Sequence, residues 1–113
     1  MGKYYRLNKI KELADNDEGF IKELVVVFLN EIPEDIKIIE KAVSKNDYGT
    51  TYQVAHKIKP TIDLFEINAL DAVINIQDWG KRERMDVDVH DNLSRVVKTL
   101  DKAIAELKAD FNL

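Results

Sequence analysis

The sequence predicts an all-α protein, an antiparallel four-helix bundle with a short additional N-terminal helix. Apolar residues recur at alternating steps of three and four along most of the chain, which is the period of an amphipathic helix and not of a strand. Short polar segments typical of caps and turns separate the periodic stretches. The length of 113 residues is typical of one domain, so we expect a single bundle that uses the whole chain, residues 1–113.

The first predicted elements are a short helix at about residues 4–14 and a long helix, with the bundle itself at about 17–111. Between the two helices, Asp15-Asn16-Asp17 supplies an aspartate that can cap the long helix by accepting hydrogen bonds from its free amides. Pro33 lies inside the long helix and cannot donate to the carbonyl of Leu29. We therefore expect a kink there, with a break into two helices as the alternative. The apolar stripe of this helix consists of Ile21, Val25, Phe28, Ile32, Ile36, Ile39 and Val43.

Three more helices complete the predicted bundle. Lys45-Asn46-Asp47 supplies a turn and a cap for the third helix. Asn68 is predicted to cap the fourth helix, which ends near Gly80 because glycine is a common helix terminator. The last helix begins near Val89. The apolar face of the fourth helix is predicted to contain Leu70, Val73 and Ile74.

Composition excludes several classes of function. The 17 basic and 21 acidic residues give a net charge of -4, which argues against nucleic-acid binding through a basic surface. The chain has no cysteine, so disulfides, thiol catalysis and zinc sites of the usual cysteine type are absent. The longest apolar run, Leu24 to Leu29, is too short to span a bilayer, and the N-terminus lacks the apolar region of a signal peptide. We therefore expect a cytoplasmic protein with no membrane partner.

The aspartate-rich run Asp86-Val87-Asp88-Val89-His90-Asp91 is not predicted to bind a metal. It lacks the central glycine and the downstream glutamate of a calcium loop. A metal-dependent hydrolase site would need more histidines than the two in this chain. Helix capping by an aspartate explains the run better, and we expect no metal ligand and no bound cofactor.

The third helix carries a histidine on its outer side. At about 100° per residue, a set of six residues lies on that side: Tyr52, Gln53, His56, Lys59, Pro60 and Asp63. A neutral imidazole, with an ordinary pKa near 6.5, is a good nucleophile toward phosphorus at physiological pH. Lys59, one turn after His56, can attract a phosphoryl group there by roughly 1–2 kcal/mol before screening. Lys57 lies about 100° away around the helix and is predicted to contribute to the local positive field.

The run Ala55-His56-Lys57-Ile58-Lys59, followed by Leu64 before another helix, resembles the signature of histidine-containing phosphotransfer domains. The usual form in that family is alanine-histidine-x-apolar-lysine-glycine. The resemblance covers roughly Phe20 to Phe111 and implies a four-helix bundle with an exposed histidine on its second long helix. It also implies that His56 accepts a phosphoryl group from the aspartyl phosphate of a receiver domain and passes it to another receiver aspartate.

The same resemblance implies partners and a role for the neighbours of His56. The partners are receiver domains of response regulators or hybrid sensor kinases, and the Mg2+ ion of the reaction belongs to the receiver, not to this chain. Such a carrier is an intermediate in phosphotransfer, without kinase or hydrolase activity of its own. Gln77 on the fourth helix resembles the polar helper of some relatives and is predicted to hydrogen-bond toward His56. The residues predicted to contact partners are Tyr52, Gln53, Lys57, Pro60, Asp63 and Gln77.

Two positions depart from the family pattern. Pro60 replaces the usual glycine and removes the amide that would bond to the carbonyl of His56, so we expect a looser or bent helix there. Glu66 stands where a glycine often ends this helix, so the turn is predicted to be built around Asn68. Pro60 is bulkier than glycine and favours the alternative function, a helical module that docks a signalling partner without being phosphorylated. A monomer is expected in either case because the apolar stripes pair within one chain.

Overall fold

The computed structural model describes residues 4–83 and 86–113 of the chain. These residues contain no strand, so the predicted all-α class is confirmed. They form five helices: α1 (Asn8–Leu13), α2 (Glu18–Ser44), α3 (Tyr48–Leu64), α4 (Leu70–Arg82) and α5 (Val89–Asp110). None of the helices within the described residues is both long and apolar enough to cross a membrane.

Aspartate side chains cap the N-termini of three of the long helices. The carboxylate of Asp17 accepts hydrogen bonds from the first amides of α2, and those of Asp47 and Asp88 do the same for α3 and α5. The first amides of a helix have no partner within the helix, so each carboxylate stabilises the start of the helix it precedes. The predicted aspartate caps are confirmed, and in the aspartate-rich run 86–91 the capping residue is Asp88.

The start of α4 differs from the prediction. Ala69 occupies the N-cap position, and no side chain caps the helix, so the predicted role of Asn68 is wrong. The backbone carbonyl of Asn68 instead accepts a hydrogen bond of 3.2 Å from the guanidinium of Arg95 on α5. The preceding turn is made by Glu66, which adopts a left-handed conformation with φ 52°. Glutamate thus adopts here a conformation that is usual for glycine at the end of a helix.

Gly80 does not end α4, which continues to Arg82 and ends at Glu83 in a left-handed conformation with φ 50°. Gly80 is needed for close packing instead. A Cβ added there would lie 2.8 Å from both the carbonyl oxygen of Tyr48 and the amide nitrogen of Tyr52. The missing side chain therefore lets the backbone of α4 approach the backbone of α3. The contact joins the end of α4 to the beginning of α3, so this pair of helices is antiparallel.

Both prolines lie within uninterrupted helices. α2 passes through Pro33 without the break that was the alternative prediction, and α3 passes through Pro60 to Leu64. Each proline still lacks an amide hydrogen. The carbonyl of His56, which faces position 60, therefore has no amide donor from the next turn.

Each long helix buries one face. α3 contacts α2 and α4, and α5 contacts the same two helices, so the four long helices surround a common core. On α4 the buried residues are Ala72, Val73, Ile76, Trp79 and Gly80. Ile74 is 39% exposed, so its predicted place on the apolar face is wrong. The buried face of α4 is therefore centred on Val73 and Ile76, each 1% exposed.

The N-terminal segment covers one end of the helices. The side chain of Tyr5 is buried, and its hydroxyl donates to a carboxylate oxygen of Asp110 near the end of α5. The amide of Arg6 donates to the carbonyl of Phe65 at 2.8 Å. The helix that follows is shorter than predicted, Asn8–Leu13, since residues 4–7 run as irregular chain along the ends of α3 and α5.

Candidate functional site

His56 lies near the middle of α3 with its side chain exposed. The neighbouring residues Ala55 and Ile58 are buried, at 0% and 2% exposure, so the helix is anchored on one side while the imidazole faces outward. Gln53, Pro60 and Asp63 are exposed on the same side, and Tyr52 and Lys59 are half-buried at its edge. The outer face predicted from the helical period is therefore present in the structure.

The ring of Tyr52 stacks on the ring of His56. The two centroids are 5.7 Å apart, and the planes differ by 20°. Residues four apart on a helix lie one above the other, so the contact follows from the spacing of the two residues. The backbone of Tyr52 is itself held by the close approach of Gly80 on α4.

The two lysines of the motif have different surroundings. Lys59 is half-buried and makes no ion pair with another described residue, so its ammonium is not committed to a described carboxylate. Lys57 turns toward α2, where its Nζ lies 3.0 Å from a carboxylate oxygen of Asp35 and 3.7 Å from one of Glu31. Asp35 is buried, with 5% exposure. The hydrogen bond to Asp35, together with its negative charge, raises the pKa of Lys57 above its ordinary value.

The ion pairs of Lys57 change the role predicted for it, a contribution to the positive field around His56. A lysine that neutralises two carboxylates contributes little net positive charge to the surface around His56. Its structural effect is to join α3 to α2 beside the histidine. Sequence spacing did not identify Asp35 because it lies on another helix, among apolar residues of α2.

Asp63, at the far end of the His56 face, is paired with the N-terminal helix. The Nζ of Lys9 lies 2.9 Å from a carboxylate oxygen of Asp63, and this hydrogen bond raises the pKa of Lys9. The side chain of Glu66 also accepts from the amide of Lys9, at 3.2 Å. Lys9 is thus a part of this face that the sequence analysis missed, because no local pattern places α1 beside the end of α3.

Gln77 is half-buried on α4. It lies three residues before Gly80, about 4.5 Å along the helix, and therefore at the level of the turn between Tyr52 and His56. Its Oε1 atom is buried and has no hydrogen-bond partner among the described residues. The predicted hydrogen bond between Gln77 and α3 is therefore not made through this oxygen. An unpaired buried acceptor costs about 1–3 kcal/mol, which makes Gln77 an unusual residue to find beside the site.

A shallow apolar groove lies between α2 and α3, next to Lys57. Its volume is about 110 Å³. The apolar lining comes mainly from Leu24, Val27, Phe28, Ile58 and Leu64, and the polar lining from Glu31, Asp35, Lys57 and Thr61. Val27 is 50% exposed at its edge. The groove places apolar surface beside Lys57, on the side of α3 that faces α2.

The described residues contain no cluster of three or more histidine, aspartate, glutamate or cysteine side chains that could hold a metal ion.

Comparisons with known proteins do not assign the chain to a family. No protein-family model, curated protein or solved structure matched the chain. The resemblance to histidine-containing phosphotransfer domains therefore rests on the run Ala55 to Lys59, on the order of the helices and on the exposed position of His56.

Proposed function

We propose that this chain is a histidine phosphocarrier of a two-component phosphorelay, with His56 as the phosphoacceptor. The observation that carries the proposal is the combination of an Ala-His-x-Ile-Lys motif with an exposed imidazole between buried residues of a well-anchored helix. A histidine that was only a solvated surface residue would not require this motif or buried neighbours on the same helix. The carrier would act in the cytoplasm as a monomer.

The proposed fold is the antiparallel four-helix bundle, formed by α2 to α5, with α1 as the additional N-terminal helix. The contacts support this arrangement, because α2, α3, α4 and α5 follow one another in a closed ring. The short connections between successive long helices also favour antiparallel neighbours.

The proposed reaction transfers a phosphoryl group between side chains. The Nε2 atom of His56 forms a bond to phosphorus while the bond from phosphorus to the receiver's aspartyl oxygen breaks. The leaving carboxylate keeps the electron pair of the broken bond, and the Nδ1 proton of the imidazole passes to water. The reverse sequence delivers the group to a second receiver aspartate. Catalysis of this kind depends mainly on in-line placement and on charge neutralisation.

Lys59 is the proposed source of positive charge from this chain. Its ammonium is not committed to a described carboxylate, in contrast to that of Lys57. Mg2+ on the receiver would supply most of the remaining charge. The apolar groove beside Lys57, together with Gln53, Pro60 and Asp63, forms the proposed docking surface for receiver domains.

The decisive experiment uses a panel of phosphorylated receiver domains and scores transfer of the label to this chain. Phosphohistidine is lost in acid and survives base, so the expected label on the wild type is acid-labile. His56→Gln should accept no label, whereas His90→Gln, which removes the only other histidine, should accept it as the wild type does. Lys59→Ala should still be labelled, about fivefold more slowly if the lysine contributes roughly 1 kcal/mol.

The outcomes separate the two candidate functions. Acid-labile label on His56→Gln would show that the site assignment is wrong. A wild type that binds receivers without accepting label would favour the alternative, a docking module that is not phosphorylated. Pro60 and the apolar groove are the features that favour that alternative, because both create a binding surface without adding chemistry.

A further inference from the structure

We infer that Tyr52 is a positioning residue for His56, a role that rests on the proposed function and goes beyond a contact with partners. The phenol ring holds the plane of the imidazole, so that a ring nitrogen faces an incoming phosphorus in one orientation. The inference depends on three features of the structure: the stacked rings, the anchoring of Tyr52 to α4, and the absence of a competing restraint among the described residues.

The first feature is the geometry of the stack. A centroid distance of 5.7 Å and an angle of 20° between the planes correspond to an offset-stacked aromatic pair. The terminal torsion of a histidine side chain is otherwise broad, so an exposed imidazole can turn about its bond to Cβ. A flat ring against one face of the imidazole restricts that rotation.

The second feature is that Tyr52 is itself held in place. Its amide nitrogen lies against Gly80, where an added Cβ would approach to 2.8 Å. One turn earlier, the ring of Tyr48 packs on the buried ring of Trp79, with centroids 4.5 Å apart. The first half of α3 is therefore fixed against α4, and the position of the Tyr52 ring follows from that packing.

The third feature is that the other neighbours of His56 do not restrain its ring. Lys57 is directed to Asp35 and Glu31 on α2. No described residue donates a hydrogen bond to the imidazole or accepts one from it, and the Tyr52 ring is the aromatic contact that it makes. Orientation of the imidazole within the described residues thus depends on Tyr52.

Orientation matters because the lone pair of the attacking nitrogen lies in the ring plane. In-line attack requires this lone pair to point at phosphorus, opposite the breaking bond to the aspartyl oxygen. Tyr52 forms no bond and takes no proton in this step. Its effect is on the fraction of time that the imidazole faces the correct way, so it should change the rate within the complex and not the affinity for the receiver.

The test compares four variants in transfer from a phosphorylated receiver at varied receiver concentration. Tyr52→Ala and Tyr52→Leu both remove the ring, and the leucine keeps an apolar side chain that supports folding. We expect the saturating transfer rate of both to fall about tenfold, with the half-saturating receiver concentration unchanged. Tyr52→Phe restores the ring and should keep at least half of the rate. Tyr4→Ala, at an exposed tyrosine on the N-terminal segment, is the matched control.

A second measurement detects the stacking of Tyr52 on His56 without phosphoryl transfer. In the wild type and in Tyr52→Phe, the ring-proton resonances of His56 should be displaced by the ring current of the neighbouring aromatic, and this displacement should disappear in Tyr52→Leu. Identical His56 resonances in all three proteins would overturn the inference. A rise in the half-saturating concentration with an unchanged saturating rate would overturn it too, because Tyr52 would then be a partner contact.

The failure of the proposed function gives a different result from the failure of this inference. If no receiver labels the wild type, the phosphocarrier proposal fails and the positioning role fails with it. If the wild type is labelled on His56 and Tyr52→Leu is labelled equally fast, only the positioning role is wrong.

Discussion

At the scale of single residues, two lysines close to His56 in the sequence have different surroundings in the structure. Lys57 and Lys59 flank Ile58 and carry the same charge, yet Lys57 is paired with carboxylates of α2 while Lys59 is not paired with a described residue. The difference arises from the direction of each side chain around the helix, since the two residues lie about 200° apart. Of the two, Lys59 lies nearer to His56 around the helix, about 60° away, whereas Lys57 lies about 100° away.

The ion pair between Lys57 and Asp35 should contribute to stability in a pH-dependent way. Asp35 is buried, so replacing its partner in Lys57→Gln leaves a carboxylate without its main cation, and we expect a loss of about 1–2 kcal/mol in the free energy of unfolding. The folded state raises the pKa of Lys57 above its ordinary value of 10.5. The stabilisation is therefore complete below pH 10.5 and decreases as the pH rises through the higher, folded-state pKa.

Denaturant unfolding of the wild type and of Lys57→Gln at a series of pH values measures this effect. Lys37→Gln is a suitable control, because Lys37 is exposed and pairs with Glu34 on the surface of the same helix. Its variant should differ little from the wild type at any pH. A difference between the wild type and Lys57→Gln that stays constant far above pH 10.5 would contradict the assigned role of the ion pair.

At the scale of helices, the contact between α3 and α4 leaves no room for a side chain at Gly80. Gly80 allows two backbones to touch, and its neighbour Trp79 fills the adjoining space against Tyr48. The aromatic pair and the glycine lie one to two turns from His56 along α3. The packing of α4 against α3 therefore holds the part of α3 that precedes His56.

Gly80→Ala should separate these helices. The added Cβ would meet two backbone atoms at 2.8 Å, and neither can move without shifting α3. We expect a loss of about 1–3 kcal/mol from overpacking, which exceeds the gain of up to about 1 kcal/mol that alanine brings within a helix.

The matched control is Gly49→Ala on α3, where the nearest atom to an added Cβ is a side-chain oxygen of Asp47 at 4.0 Å. This substitution meets no clash and should leave stability unchanged or raise it slightly. Thermal or urea unfolding of both variants measures the difference. Equal stability of Gly80→Ala and Gly49→Ala would show that the close approach of α3 and α4 is not required.

At the scale of the whole molecule, the N-terminal segment connects the beginning of the chain to its end. Tyr5 is buried against α5, and the neighbouring amide of Arg6 binds the carbonyl of Phe65. Lys9 continues the connection to Asp63 on the His56 side of α3. The segment therefore closes one end of the core and also joins the face that carries the candidate site.

Tyr5→Ala should destabilise the protein by about 3–5 kcal/mol, since it removes a large buried side chain. Tyr5→Phe keeps the packing and loses the hydrogen bond to Asp110, for a cost of about 1 kcal/mol. Tyr4→Ala, at the adjacent tyrosine with 38% exposure, should change stability by about 0.5 kcal/mol or less. Calorimetric unfolding of the three variants tests the order. Similar losses for Tyr4→Ala and Tyr5→Ala would contradict the role of Tyr5 in joining the N-terminal segment to α5.

The parts of the structure that the sequence predicted are those encoded by neighbouring residues. The helical period and the capping aspartates depend on spacings of two to four residues, and both are confirmed. The outer position of His56 follows from the same period. Three other features depend on which helices become neighbours and on how far they are shifted along one another. These are the role of Gly80, the pairing of Lys57 with Asp35 and the contact of Lys9 with Asp63. A local pattern does not contain that information, so the sequence assigned Gly80 to a helix end.

The contact between the rings of Trp79 and Tyr48 provides an intrinsic fluorescence probe. Trp79 is the single tryptophan of the chain and is 4% exposed, so its fluorescence arises from one apolar location at the contact between α3 and α4. Loosening of that contact would admit water and shift the emission to longer wavelength. A partner or a phosphoryl group that alters the first half of α3 should therefore become visible in the intrinsic emission spectrum, with no label attached to the surface around His56.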